Sequence, residues 1–400
     1  MAERHEVVFL DGVRTPFGRA GEKGMYWNTR ADDLVVKAMV GLLDRNPDVP
    51  KERIDDVAIA ATTQQGDQGL TLGRTAALLA GLPKSVPGFA IDRMCAGAMT
   101  SVTTLAGGIA FGAYDLALAG GVEHMGRHPM GFGADPNPRF LAEKLVSEDA
   151  LNMGSTAERI HDRFPQLTKE RADRYAMRSQ QKAAAAYEAG KIQPDLIPVA
   201  TRGDNGWGLA TRDEALRPET TMEGLAALKT PFRPHGRVTA GNSSGLNDGA
   251  TISLLASEAA AKELGLSAKM KLVSFAFAGV EPEIMGIGPV PSTEKALKKA
   301  GLDITDIGLF ELNEAFAVQV LSLLDHFGID DEDSRVNQWG GAIAIGHPLA
   351  SSGVRLMIQL AAQFAERPDV RYGLTAMCIG LGQGGSVIWE NPFYNGKKKK

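Results

Sequence analysis

The sequence predicts an α/β protein built from two repeated halves, with a region of different character inserted between them. Three observations carry that expectation. Apolar runs of strand length alternate with amphipathic runs of helix length, which implies a largely parallel sheet covered by helices. The segment Ile54-Asp55-Asp56-Val57-Ala58-Ile59 returns 250 residues later as Ile304-Thr305-Asp306-Ile307-Gly308-Leu309, and each copy follows a Lys-Ala step, at Lys37-Ala38 and Lys295-Ala296. Glycine, at 46 of 400 residues, exceeds the usual share of about 7% while aromatics are only 6%, as in a chain whose backbone segments approach closely.

Taken in order, Val7 to Leu10 reads as a strand, Asp32 to Leu43 as an amphipathic helix and Val57 to Ala61 as a second strand. Val86 to Ile91 is another apolar run, a helix of small residues follows from about Cys95, and Leu116 to Ala119 is a strand ending in Gly120-Gly121. From Glu123 to Val238 the composition shifts to Pro, Gly, Met and charge, with one strong helix at Lys169 to Ala189 closed by Gly190. Ser155 and Glu158 have capping-box spacing and predict a helix start just after Met153 and Gly154. The turn-rich loop Gly241 to Gly249 leads back into the strand Thr251 to Leu255. Toward the C-terminus an amphipathic run covers Gly353 to Phe364, and Leu374 to Met377 and Ser386 to Glu390 read as strands on either side of a glycine cluster. These breaks divide the chain into an N-terminal core half (1–122 with 239–270), a loop domain (123–238), a C-terminal core half (271–394) and a tail (395–400).

Composition narrows the function. A formal net charge of −5 offers no general attraction to nucleic acid or to an anionic membrane. Residues 94–114 carry no charge, yet their Ala, Gly, Thr and Ser content suits a helix buried in protein better than one in lipid. Two cysteines, Cys95 and Cys378, make neither a disulfide framework nor a zinc site, so a reducing compartment and no metal are expected. The first ten residues lack an apolar signal core and an Arg-rich transit pattern, which points to the cytoplasm.

Four positions are candidates for chemistry. Cys95 falls between a strand and a helix, where a helix N-terminus favours the nucleophilic thiolate, although an isolated cysteine is more often a small buried hydrophobe. His347, between Gly346 and Pro348, sits on a loop from which its ring can reach a cleft and transfer protons, a surface histidine being the plainer reading. Asn313, in Glu311-Leu312-Asn313-Glu314-Ala315-Phe316, ends the repeated strand and can orient a water or carbonyl, or merely cap a helix. Cys378 precedes Ile379-Gly380-Leu381-Gly382-Gln383-Gly384-Gly385; Gly380, Gly382 and Gly385 match a GxGxxG pattern, but a strand rather than a helix follows, which excludes a dinucleotide site. Those glycines instead let backbone N–H groups approach a reacting carbonyl.

In combination, Cys95, the Asn313-Glu314-Ala315-Phe316 run, Gly346-His347-Pro348 and Cys378-Ile379-Gly380 resemble the motif set of the thiolases, as do Arg14-Thr15-Pro16-Phe17-Gly18, Gly120-Gly121-Val122-Glu123 and Thr239 to Gly249. The resemblance covers essentially the whole chain. It implies the thiolase fold, two βαβαβαββ halves in a five-layered αβαβα core with an inserted loop domain. It also implies a 3-ketoacyl-CoA thiolase activity in fatty-acid β-oxidation: Cys95 as acyl-accepting nucleophile, His347 as base, Cys378 as acid/base at the acetyl α-carbon, Asn313 holding a water that forms one oxyanion hole with His347, and the N–H groups of Cys95 and Gly380 forming the other. Met153, Arg217, Phe232, Ala240, Ser244, Ala315 and Phe316 are implied to line the coenzyme A pocket, coenzyme A being a co-substrate and no cofactor being permanently bound. A homodimer or homotetramer is implied, the stretch from His124 to Phe140 resembling a tetramer-forming loop, with a β-oxidation multifunctional subunit as a further partner. The chain departs from the family pattern in three places: Asp92 stands for the usual Asn, Ala96-Gly97-Ala98 for Ser-Ser-Gly or similar, and Leu381 for a glycine. Asn152 where short-chain biosynthetic members carry His favours the degradative branch over an acetoacetyl-CoA thiolase. A condensing enzyme would usually carry His at position 378, and a silent acyl-CoA-binding subunit would not need all four motifs.

Overall fold

The computed structural model describes residues 5–203 and 206–396. The first half runs β1 (Val7–Arg14), α1 (Ala31–Arg45), β2 (Asp56–Ala60), α2 (Leu72–Leu79), β3 (Phe89–Ile91), α3 (Gly97–Phe111) and β4 (Leu116–His124). The inserted region contributes α4 (Met153–Arg163), α5 (Lys169–Glu188) and a two-stranded ribbon, Val199–Gly203 with Gly206–Ala210. Then follow β5 (Asn247–Ser257), β6 (Met270–Gly279), α6 (Pro289–Ala300), β7 (Ile307–Leu312), α7 (Ala317–Phe327), α8 (Ser352–Glu366), β8 (Tyr372–Ile379) and β9 (Gln383–Glu390).

The strands lie in the order β7-β8-β9-β6-β1-β5-β4-β2-β3. Read outward from the centre, the two sides are copies. In the first half β1 pairs antiparallel with β5, β5 antiparallel with β4, and β4 and β3 each parallel with β2. In the second, β6 pairs antiparallel with β9, β9 antiparallel with β8, β8 parallel with β7, and an isolated parallel bridge from Phe310 to Val336 occupies the fifth place. The halves meet through the pairing of Val8 with Lys271 and Phe9 with Met270. The sheet is therefore mixed rather than largely parallel: the last strand of each half turns back and inserts beside the first, which a sequence pattern of alternating elements does not reveal.

Alternation along the strands sorts the helices into layers. Val8, Leu10, Val57, Ile59, Leu116 and Leu118 face outward onto α1 and α2. Phe310, Leu312, Leu374 and Ala376 face outward onto α6 and α7, with α4 and α5 beyond. Between the two half-sheets lie α3 and α8, packed on Phe9, Ala58, Ala117, Ala119, Leu309, Met377 and Trp389. The uncharged stretch forms this central layer: Met94–Phe111 is the one helical segment among the described residues with the length and composition of a membrane span, and 67% of it is buried inside the protein.

Small residues set how closely the layers approach. A Cβ on Gly353 of α8 would lie 2.6 Å from the backbone nitrogen of Met99 in α3, and one on Gly121 of β4 would lie 2.4 Å from the carbonyl oxygen of Ala350. Neither neighbour can swing away, since each is backbone. Gly353→Val is thus expected to lower unfolding free energy by about 1–3 kcal/mol or more, seen as a fall in the urea midpoint, whereas Gly107→Ala on an open face of α3 should leave the midpoint unchanged or raise it.

Candidate active site

Cys95 occupies a short 3-10 turn, Met94–Ala96, that runs directly into α3. The turn is set by Asp92, whose carboxylate accepts the Met94 N–H at 2.6 Å, and by Met94 itself at φ 45°. Asp92, which departs from the family pattern, therefore serves as the acceptor that folds the nucleophile turn. The backbone N–H groups of Gly380 and of Cys95 both approach the Cys95 sulfur. Gly380 comes from the three-residue turn between β8 and β9, where Leu381 (φ 59°) and Gly382 (φ 76°) both take the left-handed conformation. A Cβ on Gly380 would sit 2.6 Å from the Met94 sulfur and 3.7 Å from that of Met153, so glycine is what allows its amide to reach the thiol. Cys378 lies on the same turn's approach strand, close enough that a charge on Cys95 acts on it.

His347 is delivered from the opposite half. Gly346, at φ 112°, brings the chain against Asn247, whose side-chain oxygen accepts the His347 N–H at 2.9 Å. The imidazole Nδ1 lies 2.6 Å from the Ser352 hydroxyl, which donates to the Pro348 carbonyl at 3.1 Å. With its proton given to Pro348, that oxygen accepts from Nδ1–H. On the other edge, Asn313 Nδ2 is 3.3 Å from Nε2, and the Arg355 guanidinium donates to Asn313 Oδ1 at 3.4 Å, which fixes the amide with its N–H₂ toward the ring. Both contacts assign the Nδ1–H tautomer and leave the Nε2 lone pair as the basic site. Asn313 is itself held by its backbone N–H on Ala376, two residues before Cys378. The turn after His347 (Leu349–Ser351) packs on the Cys95 turn, a Cβ on Gly97 lying 3.0 Å from that of Ala350.

Burial governs the protonation states. Cys95, His347, Asn313 and Cys378 are 7, 3, 0 and 0% exposed, so a charged form of either thiol or of the imidazole is poorly solvated. Loss of solvent pushes the Cys95 thiol up to about 12, the amides of Gly380 and Cys95 pulling the other way and buried Glu123 adding to the rise. The same effect, with the Arg355 charge second, pushes His347 down to about 3. Cys378 is raised well above an ordinary thiol. The amides at the helix start favour the thiolate, as expected of that position, but burial outweighs them, so the resting pair is a neutral thiol and a neutral imidazole.

The coenzyme A candidates fall in three groups. Ala315 and Phe316 are buried immediately after Asn313, and Ser244 is laced to them: its N–H donates to the Ala315 carbonyl at 2.9 Å and its hydroxyl to the same oxygen at 3.3 Å. Met153 opens α4 beside Gly380, and the exposed Phe232 ring covers Gly154. Ala240 is exposed near this rim, while Arg217 stands apart, its N–H held by Gln180 of α5 and its guanidinium donating only to the backbone carbonyls of Glu214 and Leu216 among the described residues. The capping-box reading at Ser155 and Glu158 is corrected: Asn152 caps α4 by accepting from the Ser155 N–H, and Glu158 instead accepts from the N–H groups of Arg237 and Val238. Sequence reasoning did not find Ser352, Arg355, Glu123 or Asn247 as supports of the site. Glu123 is the most informative, since its carboxylate accepts from the N–H groups of Thr62 in one half and Ala350 in the other.

A thiol near 12 beside a base near 3 has a definite pH signature. Moving the proton from sulfur to imidazole leaves the pair's net protonation unchanged, so alkylation of Cys95 by iodoacetamide should proceed at a nearly constant rate between about pH 5 and 9. In His347→Ala the rate should drop and then climb about tenfold per pH unit as free thiolate accumulates. A wild-type rate that climbs in that way would show that His347 does not take the proton.

Comparison with known proteins covers nearly the whole chain. Residues 7–259 match the family model described as "Thiolase, N-terminal domain" and residues 266–391 that described as "Thiolase, C-terminal domain". A 3-ketoacyl-CoA thiolase of Photobacterium profundum is 44% identical over 389 residues, covering 96% of this chain and 99% of that protein. The crystal structure of human mitochondrial 3-ketoacyl-CoA thiolase superposes with a TM-score of 0.88 at 34% identity, covering 98% of this chain and 100% of that one. The Bacillus anthracis acetyl-CoA acetyltransferase gives 0.87 at 33% identity with the same coverage. The chain belongs to the thiolase family and is an acyltransferase.

Proposed function

We propose that the protein is a degradative 3-ketoacyl-CoA thiolase, which cleaves a 3-ketoacyl-CoA with coenzyme A into acetyl-CoA and a shortened acyl-CoA. The observation that carries this reading is that Cys95 and Cys378 lie together at the Gly380 turn while His347, in contact with Asn313, precedes the turn that packs on that of Cys95. His347 Nε2 takes the Cys95 proton as the sulfur bonds to the 3-keto carbon. The C2–C3 bond then breaks, its electron pair passes to C2, and the Cys378 S–H protonates that carbon to give acetyl-CoA. The imidazolium returns its proton to the Cys378 thiolate. In the second half-reaction the coenzyme A thiol gives its proton to His347 and attacks the acyl carbonyl, and Cys95 leaves and recovers that proton. Oxyanions formed along this path lie where the Cys95 and Gly380 N–H groups and the Asn313 amide can donate.

The pocket candidates Met153, Arg217, Phe232, Ala240, Ser244, Ala315 and Phe316 are proposed to seat the pantetheine arm and nucleotide. Support for the degradative branch comes from Asn152, which is committed to capping α4 rather than free to touch a substrate. We place the enzyme in cytoplasmic β-oxidation as a homodimer or homotetramer, able to join a multifunctional subunit. Exposed Met130, Phe132, Phe140, Leu141, Leu145 and Leu151 make the stretch after His124 apolar enough to be covered by another copy.

Cys95→Ser is expected to abolish both thiolysis and condensation. Cys378→Ser should still accept an acetyl group onto Cys95 from acetyl-CoA, detected by mass, yet lose carbon–carbon cleavage; full thiolysis in that variant would overturn the role given to Cys378. Thiolysis rates across 3-ketoacyl-CoAs of increasing length should favour chains longer than acetoacetyl, and a strict preference for acetoacetyl-CoA would assign the biosynthetic role instead.

A further inference from the structure

Helix α8 lies in the central layer, packed on both half-sheets, yet it carries a polar stripe. Ser352, Arg355, Gln359 and Gln363 recur every three or four residues on one face, and all four are buried, Arg355 completely. The stripe faces β7 and the turn that follows it. Arg355 donates to Gln359 at 2.5 Å and to Asn313 Oδ1 at 3.4 Å, and its Nη1 lies 3.6 Å from Glu311 Oε2. Gln363 donates to the other oxygen of Glu311 at 2.7 Å. Arg355 Nε and Glu311 Oε2 have no hydrogen-bond partner among the described residues. A buried ion pair this loosely made stabilises a fold less than apolar residues of the same volume would, so its presence beside the site calls for a different explanation.

We infer that Arg355 is a positioning residue for His347: through Asn313 it fixes which edge of the amide meets the imidazole and so keeps Nε2 a proton acceptor. Asn313 can present either Nδ2 or Oδ1 to Nε2. Only the first leaves Nε2 as an acceptor, and Arg355 is the group that holds Oδ1 away. Ser352, one turn earlier on the same stripe, fixes the opposite edge of the ring. The other ionisable groups around His347 are Cys95 on its turn, Cys378 on β8, Glu311 on β7, Glu314 in the following turn and Glu123, which bonds the turn after His347. Of these groups Glu311 and Glu314 act on Arg355, and Arg355 is the charge that acts on the imidazole, disfavouring its protonation.

This role rests on His347 acting as the base, so the readout is alkylation of Cys95, which needs no substrate, with thiolysis measured alongside. In Arg355→Met the pH below which alkylation slows should move upward, because an imidazole relieved of the neighbouring cation is protonated more readily. Thiolysis kcat should fall about tenfold to a hundredfold with the KM for coenzyme A changed less than about twofold. Arg355→Lys should return the acid limb toward wild type without restoring kcat, since one ammonium cannot bond Asn313 and Gln359 together. If Arg355→Met does not fold, Arg355→Met with Glu311→Met removes both charges at similar volume and should show the same upward shift, smaller in size. An unmoved acid limb in a folded variant overturns the inference whatever happens to kcat, and a moved limb with no thiolysis in any form of the enzyme would instead count against the proposed function.

Discussion

The site depends on the contact between two short turns, one from each half of the molecule, that each open a central helix. In both halves the chain passes through a 3-10 turn into that helix, Met94–Ala96 into α3 and Leu349–Ser351 into α8. Duplication aims the two turns at one place. The contact is close because the residues in it are small: Gly97 against Ala350, and Gly121 beneath the Ala350 carbonyl. Buried Glu123 then ties the second turn to the first half, with hydrogen bonds from Ala350 and from Thr62, just after β2. Cys95 lies within the first turn and His347 just ahead of the second, so a symmetric scaffold presents a nucleophile from one half and a base from the other.

Burial does two opposing things at that junction. It removes the solvent that would stabilise a thiolate or an imidazolium, which is why the thiol is pushed up to about 12 and the imidazole down to about 3. It also strengthens every fixed dipole aimed at the sulfur, because a hydrogen bond in a low-dielectric site is not competed for by water. The amides of Gly380 and Cys95 gain most from this. A resting thiol and imidazole without charge admit an apolar acyl chain at little desolvation cost, and charge appears only as bonds change, where the amides are already in place.

Much of this was legible in the sequence, and what was not has identifiable causes. The repeat Ile54 to Ile59 and Ile304 to Leu309 announced the duplication because the same strand occupies the same place in both half-sheets. The uncharged stretch from Met94 announced a buried helix because small side chains serve close packing and little else. The polar stripe of α8 misled: Arg355, Gln359 and Gln363 at helical spacing look like the solvated face of an amphipathic helix, and only the packing of β7 and its following turn against that face buries it. Capping residues misled in the same manner, since Ser155 and Glu158 have the right spacing but Glu158 is engaged by residues near 237, far along the chain. Local patterns point to the structure where local forces decide, and fail where a partner distant in sequence does.

The inserted region shares an apolar layer with the core, and buried polar knots fasten it there at two further places, which sets how the site can be tuned. Glu314, directly after Asn313, accepts hydrogen bonds from Tyr175 and Ser179 of α5, from Asn337, and from the N–H of Ile343 in the loop that leads to His347. A second knot joins Asp213 to Arg14 of β1, to the Phe17 N–H and to Tyr187 of α5. Helix α5 therefore touches both the Asn313 turn and the first strand of the opposite half. A displacement of α5 by substrate pressing on the neighbouring rim at Phe232 or Arg217 would be felt at Asn313 through Glu314, whereas the Cys95 turn is held separately, by Asp92. Differences in acyl preference among proteins of this architecture can thus arise in the inserted region without disturbing the nucleophile, because the two are fastened to the core by separate sets of hydrogen bonds.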